Sequence, residues 1–331
     1  MPIIRVRDVV KEFRVRKPCP GRLGWLRTFL SRDSLVKRAV DAVSFDIQPG
    51  ELVGYIGPNG AGKSTTIKLL TGILVPTSGE VEVAGLVPWR ERERNALNIG
   101  VVFGQRSQLW WDLPLIESFD LVAKMYAVPP ALYRRNLEQF SDLLGLDEFL
   151  HTPVRQLSLG QRMRGDLTAA MLYEPRLLYL DEPTVGLDVV ARARIRAFIE
   201  EINRRGQSTI ILTTHDLADI ERLCRRIILI DHGRVLYDGS VDRLVTRYAP
   251  YRVLVVQLAE GTDGAVEAAG AELIQREASK VWLRVDREPG SVPRLIASLT
   301  ARYPVTDLSI TEPDLEQVIR QLYASERAVS L

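Results

Sequence analysis

With 331 residues, 46% of them hydrophobic and 26% charged, the chain is long enough for about two globular domains. Its 44 basic and 42 acidic side chains give a formal net charge of only +2, which excludes the broad positive field by which nucleic-acid binders neutralise phosphates, and no nucleic-acid partner is expected. Cys19 and Cys224 have neither zinc-site nor disulfide-framework spacing and suit a reducing cytosol; no apolar run reaches the roughly 20 residues of a membrane span, and MPIIRVRDVV lacks a signal-peptide core.

From about Ile3 to Tyr248 short apolar runs alternate with helical patterns, which predicts a mostly parallel sheet flanked by helices and a first domain over residues 1–248. Strands are predicted at ELVGYIG (Glu51 to Gly57), NIGVVF (Asn98 to Phe103), RLLYLD (Arg176 to Asp181), STIILTT (Ser208 to Thr214) and RIILID (Arg226 to Asp231). Such nearly unbroken apolar runs are what strands covered on both faces require. After Tyr248 the order changes to strand (Arg252 to Leu258), helix, two strands (Glu272 to Glu277, Lys280 to Val285), helix (Pro293 to Tyr303), strand (Val305 to Ile310) and closing helix (Leu315 to Leu322). That order predicts a small α+β, ferredoxin-like domain over 249–331.

GPNGAGKST follows the first predicted strand of that sheet, opens a helix and fits the pattern G-x-x-x-x-G-K-[ST]. Gly57, Pro58, Asn59, Gly60, Ala61 and Gly62 form a loop whose backbone N–H groups wrap phosphates, helped by the positive end of the following helix. Lys63 is expected to reach the β- and γ-phosphates and Ser64 to bind Mg²⁺, with Thr65 closing the motif. LLYLDEP brings Asp181 and Glu182 to the end of a buried strand, where it opens onto a ligand crevice. Asp181 is assigned to Mg²⁺, through water, and Glu182 to the general base that polarises the attacking water.

Gln105, after GVVFG, and His215, after IILTT, leave strands in the same way. Singly, each reads as a surface loop residue; beside the phosphate loop they read as γ-phosphate contacts, Gln105 also sensing Mg²⁺. Asp188, in VGLDV, is expected between two active sites. In LSLGQ, Ser158 stands three residues before Gln161, the form of a capping box, so Ser158 is the predicted N-cap of a helix through MRGDLTAAML. On these residues alone LSLGQ is either an ordinary helix start or a grip on a nucleotide held by another molecule, because a capped N-terminus still attracts phosphate.

In type, order and spacing, GPNGAGKST, Gln105, LSLGQ, LLYLDEP, GLD and TTHD resemble the nucleotide-binding subunit of an ATP-binding cassette (ABC) transporter, over about residues 1 to 245. With TEPDLEQVI (Thr311 to Ile319) closing a small C-terminal domain, the chain is similar to the separate ATPase subunits of ABC-2-type exporters, the drug- and antibiotic-resistance class, and within it to the viologen-exporter type. The resemblance implies a P-loop NTPase fold of the ABC type with a helical subdomain, ATP and Mg²⁺ as ligands, and ATP hydrolysis by a head-to-tail pair, a homodimer or this chain beside a related ABC ATPase. Each ATP is then held between one chain's phosphate loop and the other's LSLGQ, through the Ser158 hydroxyl and the backbone around Gly160 and Gln161. Leu159 replaces the first Gly of the family's LSGGQ; it takes the first helical position, where a β-carbon is tolerated, and Gly160 is the position that must allow close approach. Phe13 matches the place where the family stacks an aromatic on adenine, with core packing as the alternative.

The same resemblance implies that Gln105 and the segments around TPV and WWDLP report the cycle to separate transmembrane permease subunits, which hold the chain at the cytoplasmic face of the plasma membrane. Importer ATPases share every catalytic residue, and soluble ABC ATPases acting on nucleic acid are the other alternative. Lys17 to Arg38, KPCPGRLGWLRTFLSRDSLVKR, departs from the pattern as an insertion between the first two strands. Trp25, Leu26, Phe29 and Leu30 recur in it at near-helical spacing among arginines, so it either lies on a membrane or transmembrane partner or packs on its own domain.

Overall fold

The computed structural model describes residues 1–16, 34–104, 106–206, 208–259, 261, 269–288 and 290–329. The chain divides into two compact units, Met1–Asp238 and Gly239–Leu331. In the first, the order is β1 (Ile4–Arg16), β2 (Ser34–Ile47), β3 (Leu52–Ile56), α1 (Lys63–Leu70), β4 (Ser78–Val83), α2 (Arg92–Asn98), β5 (Ile99–Phe103), α3 (Leu115–Met125), α4 (Pro130–Leu144) and α5 (Leu159–Met171). It continues with β6 (Leu177–Asp181), α6 (Val189–Arg204), β7 (Thr209–Thr213), α7 (Leu217–Leu223), β8 (Arg226–Asp231) and β9 (Arg234–Ser240).

The five predicted apolar strands, joined at one edge by β9, form a six-stranded sheet in the order β5-β6-β7-β3-β8-β9, parallel from β5 through β8. All five residues of β3 and all five of β7 are buried, as strands covered on both faces should be. Leu177, Leu178 and Leu180 are each 0% exposed, and burial of each such side chain contributes about 2 kcal/mol. A second, antiparallel sheet, β2-β1-β4, packs on this one through a shared core that includes Ile4, Phe45, Ile47, Tyr55 and Tyr179. Because β6, β7 and β3 are consecutive in the sheet, the loops after their carboxyl ends come side by side, and there a parallel sheet collects its ligands.

In the second unit α8 (Val241–Tyr248), β10 (Tyr251–Leu258), β11 (Ala271–Glu277), β12 (Lys280–Asp286), α9 (Ser291–Arg302), β13 (Val305–Thr311) and α10 (Leu315–Val329) follow. The sheet order β11-β12-β10-β13, antiparallel at every pairing, is the ferredoxin-like order expected from the sequence. Leu254, Val256, Leu283 and Val285 supply one face of its core, and Leu295 and Leu299 of α9 cover them. The helix expected between β10 and β11 falls mainly on residues 262–268, outside the described residues.

Two boundaries differ from the sequence reading. The break between units lies after Asp238 and not at Tyr248, because α8, whose Leu244 is buried, packs against the closing helix α10. The insertion read as Lys17 to Arg38 ends earlier: Ser34 to Arg38 already belong to β2 and pair with β1, from Arg16↔Ser34 to Glu12↔Arg38. The segment with Trp25, Leu26, Phe29 and Leu30 lies outside the described residues.

Candidate functional site

A groove of about 1320 Å³ in the first unit is lined by Phe13, Lys63, Ser64, Asp181, Glu182 and His215, and by Asn59, Gly60, Gly62 and Thr65 of the phosphate loop. The loop turns because its glycines allow it. Gly62 has φ +108°, and a Cβ there would lie 2.4 Å from the Ala39 carbonyl oxygen; at Gly57 it would lie 2.4 Å from that of Ile230. Ala61, 2% exposed, packs into the core and does not line the groove. Lys63 is 9% exposed, and its Nζ donates to the carbonyls of Gly57 at 2.6 Å and Pro58 at 3.3 Å. Burial lowers the pKa of this ammonium, while Glu182 and Asp181 pull the other way. A phosphate entering the loop would offer Lys63 charged acceptors in place of carbonyls.

The carboxylates arrive from the neighbouring strand. Asp181 ends β6 and accepts a hydrogen bond from the Thr213 hydroxyl of β7. Glu182 follows with φ +57°, a left-handed conformation that a non-glycine residue adopts only when its surroundings impose it. Its N–H donates to Thr213 O at 2.9 Å, and Gly104 sits so close that a Cβ there would lie 2.5 Å from Glu182 O. The turn aims the carboxylate at His215, whose Nδ1 stands 2.6 Å from Oε2. An ionised carboxylate only accepts, so Nδ1 carries the proton of this pair.

Phe13 is half-exposed, lines the groove and lies under Lys11 Nζ at 5.3 Å; it is not a core residue. Gln105 falls outside the described residues. Among the described residues no group of three or more His, Cys, Asp or Glu side chains is arranged to hold a metal ion. The oxygen donors Ser64 and Asp181 suit a hard cation that takes its remaining ligands from phosphate and water, as Mg²⁺ does.

LSLGQ forms the predicted capping box. Ser158 Oγ accepts from Gln161 N at 3.2 Å, Gln161 Oε1 accepts from Ser158 N at 2.9 Å, and α5 begins at Leu159. Such a cap contributes about 1 kcal/mol. Arg164, buried in α5, donates to the carbonyls of Leu144 at 2.7 Å and Gly145 at 3.1 Å and so closes the end of α4. Ser158, Gly160, Gln161 and Asp188 do not line the groove of their own chain; Leu159 and Gly186 do. A Cβ at Gly160 would lie 2.9 Å from Ala191 Cβ and 4.0 Å from Asp188 Oδ2, so its side-chain direction faces α6 of the same chain, and the lack of a side chain lets the two helix starts approach. Asp188 caps α6 by accepting from Ala191 N at 2.8 Å, which brings the starts of α5 and α6 together.

A buried network behind the site has no motif of its own in the sequence. The Thr184 hydroxyl donates to Asp219 Oδ2 at 2.6 Å, and Arg196 pairs with the other oxygen of Asp219, which is 1% exposed. Arg192 donates to Asp216 Oδ2 at 2.9 Å. These pairs bind α6 to α7 on either side of the turns that carry Glu182 and His215. Arginines four residues apart on α6, opposite acids three apart, were the available signal. At the surface, WWDLP and TPV are joined: Val154 N donates to Leu113 O at 3.0 Å and Arg155 N to Trp111 O at 2.9 Å, beside the exposed Trp110 and Trp111.

Residues 40–185 match the family model described as ABC transporter, and residues 250–311 match the EvrA-like ABC transporter, C-terminal domain. The daunorubicin resistance ATP-binding protein DrrA3 of Streptomyces coeruleorubidus is 30% identical, over 88% of this chain and 93% of its own. The Nod factor export ATP-binding protein I of Ralstonia nicotianae is 34% identical over 66% and 68%, and the methionine import ATP-binding protein MetN of Latilactobacillus sakei 31% over 87% and 86%. A solved structure of an ATP binding subunit of an ABC transporter superposes with a TM-score of 0.61 at 28% identity, covering 74% of this chain and 93% of that one.

Proposed function

The chain belongs to the ABC transporter ATP-binding family, as an ATPase that drives transport, and from that premise we propose that it serves an ABC-2-type exporter and hydrolyses two ATP between paired copies. The observation that carries the chemistry is the convergence of Lys63, Ser64, Asp181, Glu182 and His215 on one groove. The glycine turns expose backbone N–H groups to the phosphates, and Lys63 neutralises their charge. Ser64 and Asp181, with Gln105, would hold Mg²⁺, which would supply positive charge to stabilise the phosphates. Glu182 Oε1 accepts the proton of the attacking water while Oε2 accepts from His215 Nδ1–H, which holds the carboxylate in place, and the His215 ring lines the groove on the γ-phosphate side. Phe13 stacks on the adenine. The second chain contributes the exposed Ser158 hydroxyl and the backbone at the start of α5, across from this chain's phosphate loop.

A separate permease is the second partner. The half-exposed Trp110 and Trp111, braced by the TPV segment and by Arg162 at 5.6 Å from the Trp111 ring, form a surface suited to it. Among the described residues no helix is long and apolar enough to cross a membrane, so attachment through that partner, at the cytoplasmic face, is the consistent arrangement. Export is supported by the resistance and export relatives; the similarity to a methionine import protein favours import as the second reading. Co-expression with a six-span ABC-2-type permease, or with an importer permease, tests the choice. Co-purification and stimulated ATPase only with the former support export; the same result only with the latter overturns it.

A further inference from the structure

Asp166, the one acidic residue of α5, is 4% exposed. Its Oδ1 accepts hydrogen bonds from the Ser107 hydroxyl and the Gln108 N–H, both at 3.0 Å, and its backbone carbonyl accepts from Gln108 Nε2 at 3.1 Å. Ser107 Oγ in turn accepts from Leu109 N at 3.1 Å, which fixes the orientation of the hydroxyl. Gly165 seats the same segment: a Cβ there would lie 2.8 Å from Leu115 Cδ1 and 3.0 Å from Leu109 Cδ1. These contacts fasten to α5 a stretch of chain that begins two residues after Gln105.

The other end of that stretch is fastened to the groove. Gly104 N–H donates to Asp181 O at 2.7 Å, and Arg106 N–H donates to Phe103 O at 3.1 Å. A path therefore runs from the Asp181–Glu182 turn through Gly104 and residues 106–108 to Asp166, and along one helix to the Ser158 cap. A buried carboxylate costs stability that an apolar side chain at the same place would not. Burial pushes this carboxyl up to about 6 against the opposing hydrogen bonds from Gln108 and Ser107. Such a cost is consistent with a use for the contact beyond packing.

We propose that Asp166 is a positioning residue that couples the chain's own nucleotide groove to the Ser158 end of α5, so that the two ATP sites of a pair of chains act through it in concert. This rests on the reading of Gln105 and Ser158 as site residues. The full chain, with Mg-ATP as the probe, is compared with Asp166→Asn, which keeps an acceptor oxygen for both donors, and with Asp166→Ala, which removes it. The expected result is a loss in kcat of about tenfold or more for Ala with KM for ATP changed less than about threefold, and kcat within about threefold of wild type for Asn. Ser107→Ala, which leaves the helix intact, should lower kcat at least about threefold and keeps the test decisive if the Ala variant does not fold. Wild-type kcat in a folded Asp166→Ala or Ser107→Ala chain, or equal losses in Asn and Ala, would overturn the proposal. Glu182→Gln run alongside separates the two ideas: an active Glu182→Gln sinks the site reading, whereas an inactive one beside a normal Asp166→Ala sinks the coupling alone.

Discussion

Glu182 holds its carboxylate on a left-handed backbone, two residues before a buried Thr184–Asp219 hydrogen bond. An amide at this position would keep the shape and hold the water without taking its proton. Glu182→Gln should therefore lower ATP turnover by about a hundredfold or more while ATP binding stays within about threefold, measured by phosphate release and by nucleotide titration. Turnover near wild type would remove Glu182 from the role of base. Asp166 gives a second residue-scale expectation, in pH. Its carboxyl is raised to about 6 from 3.8 by burial, so the folded chain holds this proton more tightly than the unfolded chain does. The resulting stabilisation is complete below the ordinary carboxylate range and is lost as pH rises through about 6. Asp166→Asn does not titrate, so relative to wild type it should gain about 2 kcal/mol in unfolding free energy between about pH 4 and pH 7. A difference that is flat across that window contradicts the assignment.

The starts of α5 and α6 meet where Gly160 faces Ala191. A methyl group at Gly160 has to push two helices apart, so Gly160→Ala should destabilise the chain by about 1–2 kcal/mol despite alanine's better helix propensity. Leu159→Gly, at an exposed first helical position near Gly186, should change ATPase activity less than about tenfold, or about 1.4 kcal/mol in the barrier. Thermal unfolding and phosphate release on both variants check the pair, and an unchanged Gly160→Ala would refute the packing account. The elements themselves were legible in the sequence because strands covered on both faces are continuous apolar runs and because Ser158 and Gln161 state their capping box locally. What the sequence withheld is long-range pairing. Gly160 carries no local sign that it packs on Ala191, Asp219 has no motif linking it to Thr184, and Glu182's positive φ is held by the strand next door, through Thr213 O. For the same reason chain order places α8 with the first unit: its partner, α10, lies at the far end of the chain.

At the scale of the whole molecule, that regrouping predicts where the chain tolerates a cut. Ending it after Ser240 should leave the first unit well behaved, whereas ending it after Tyr248 leaves α8 without α10 and exposes Leu244, favouring aggregation. Sizing chromatography of the two truncations distinguishes them, and equal behaviour would argue against the placement of α8. The central claim is that each ATP site is shared between two chains, one giving Lys63 and the other Ser158. Ser158→Asp tests it with little cost to the fold, because aspartate is also a good N-cap while its charge repels a phosphate held opposite. Lys63→Ala disables the other half. Mixed in equal amounts, the two inactive variants form pairs in which one site carries both defects and the other carries neither. Coupling between the sites lowers the turnover of a pair with one intact site without abolishing it, so ATPase activity should return well above that of either variant alone, to at most roughly a quarter of wild type, half the pairs being mixed and each having one intact site. No recovery, once mixed pairs have been demonstrated by differential tagging, would contradict a site that is shared between chains and competent by itself.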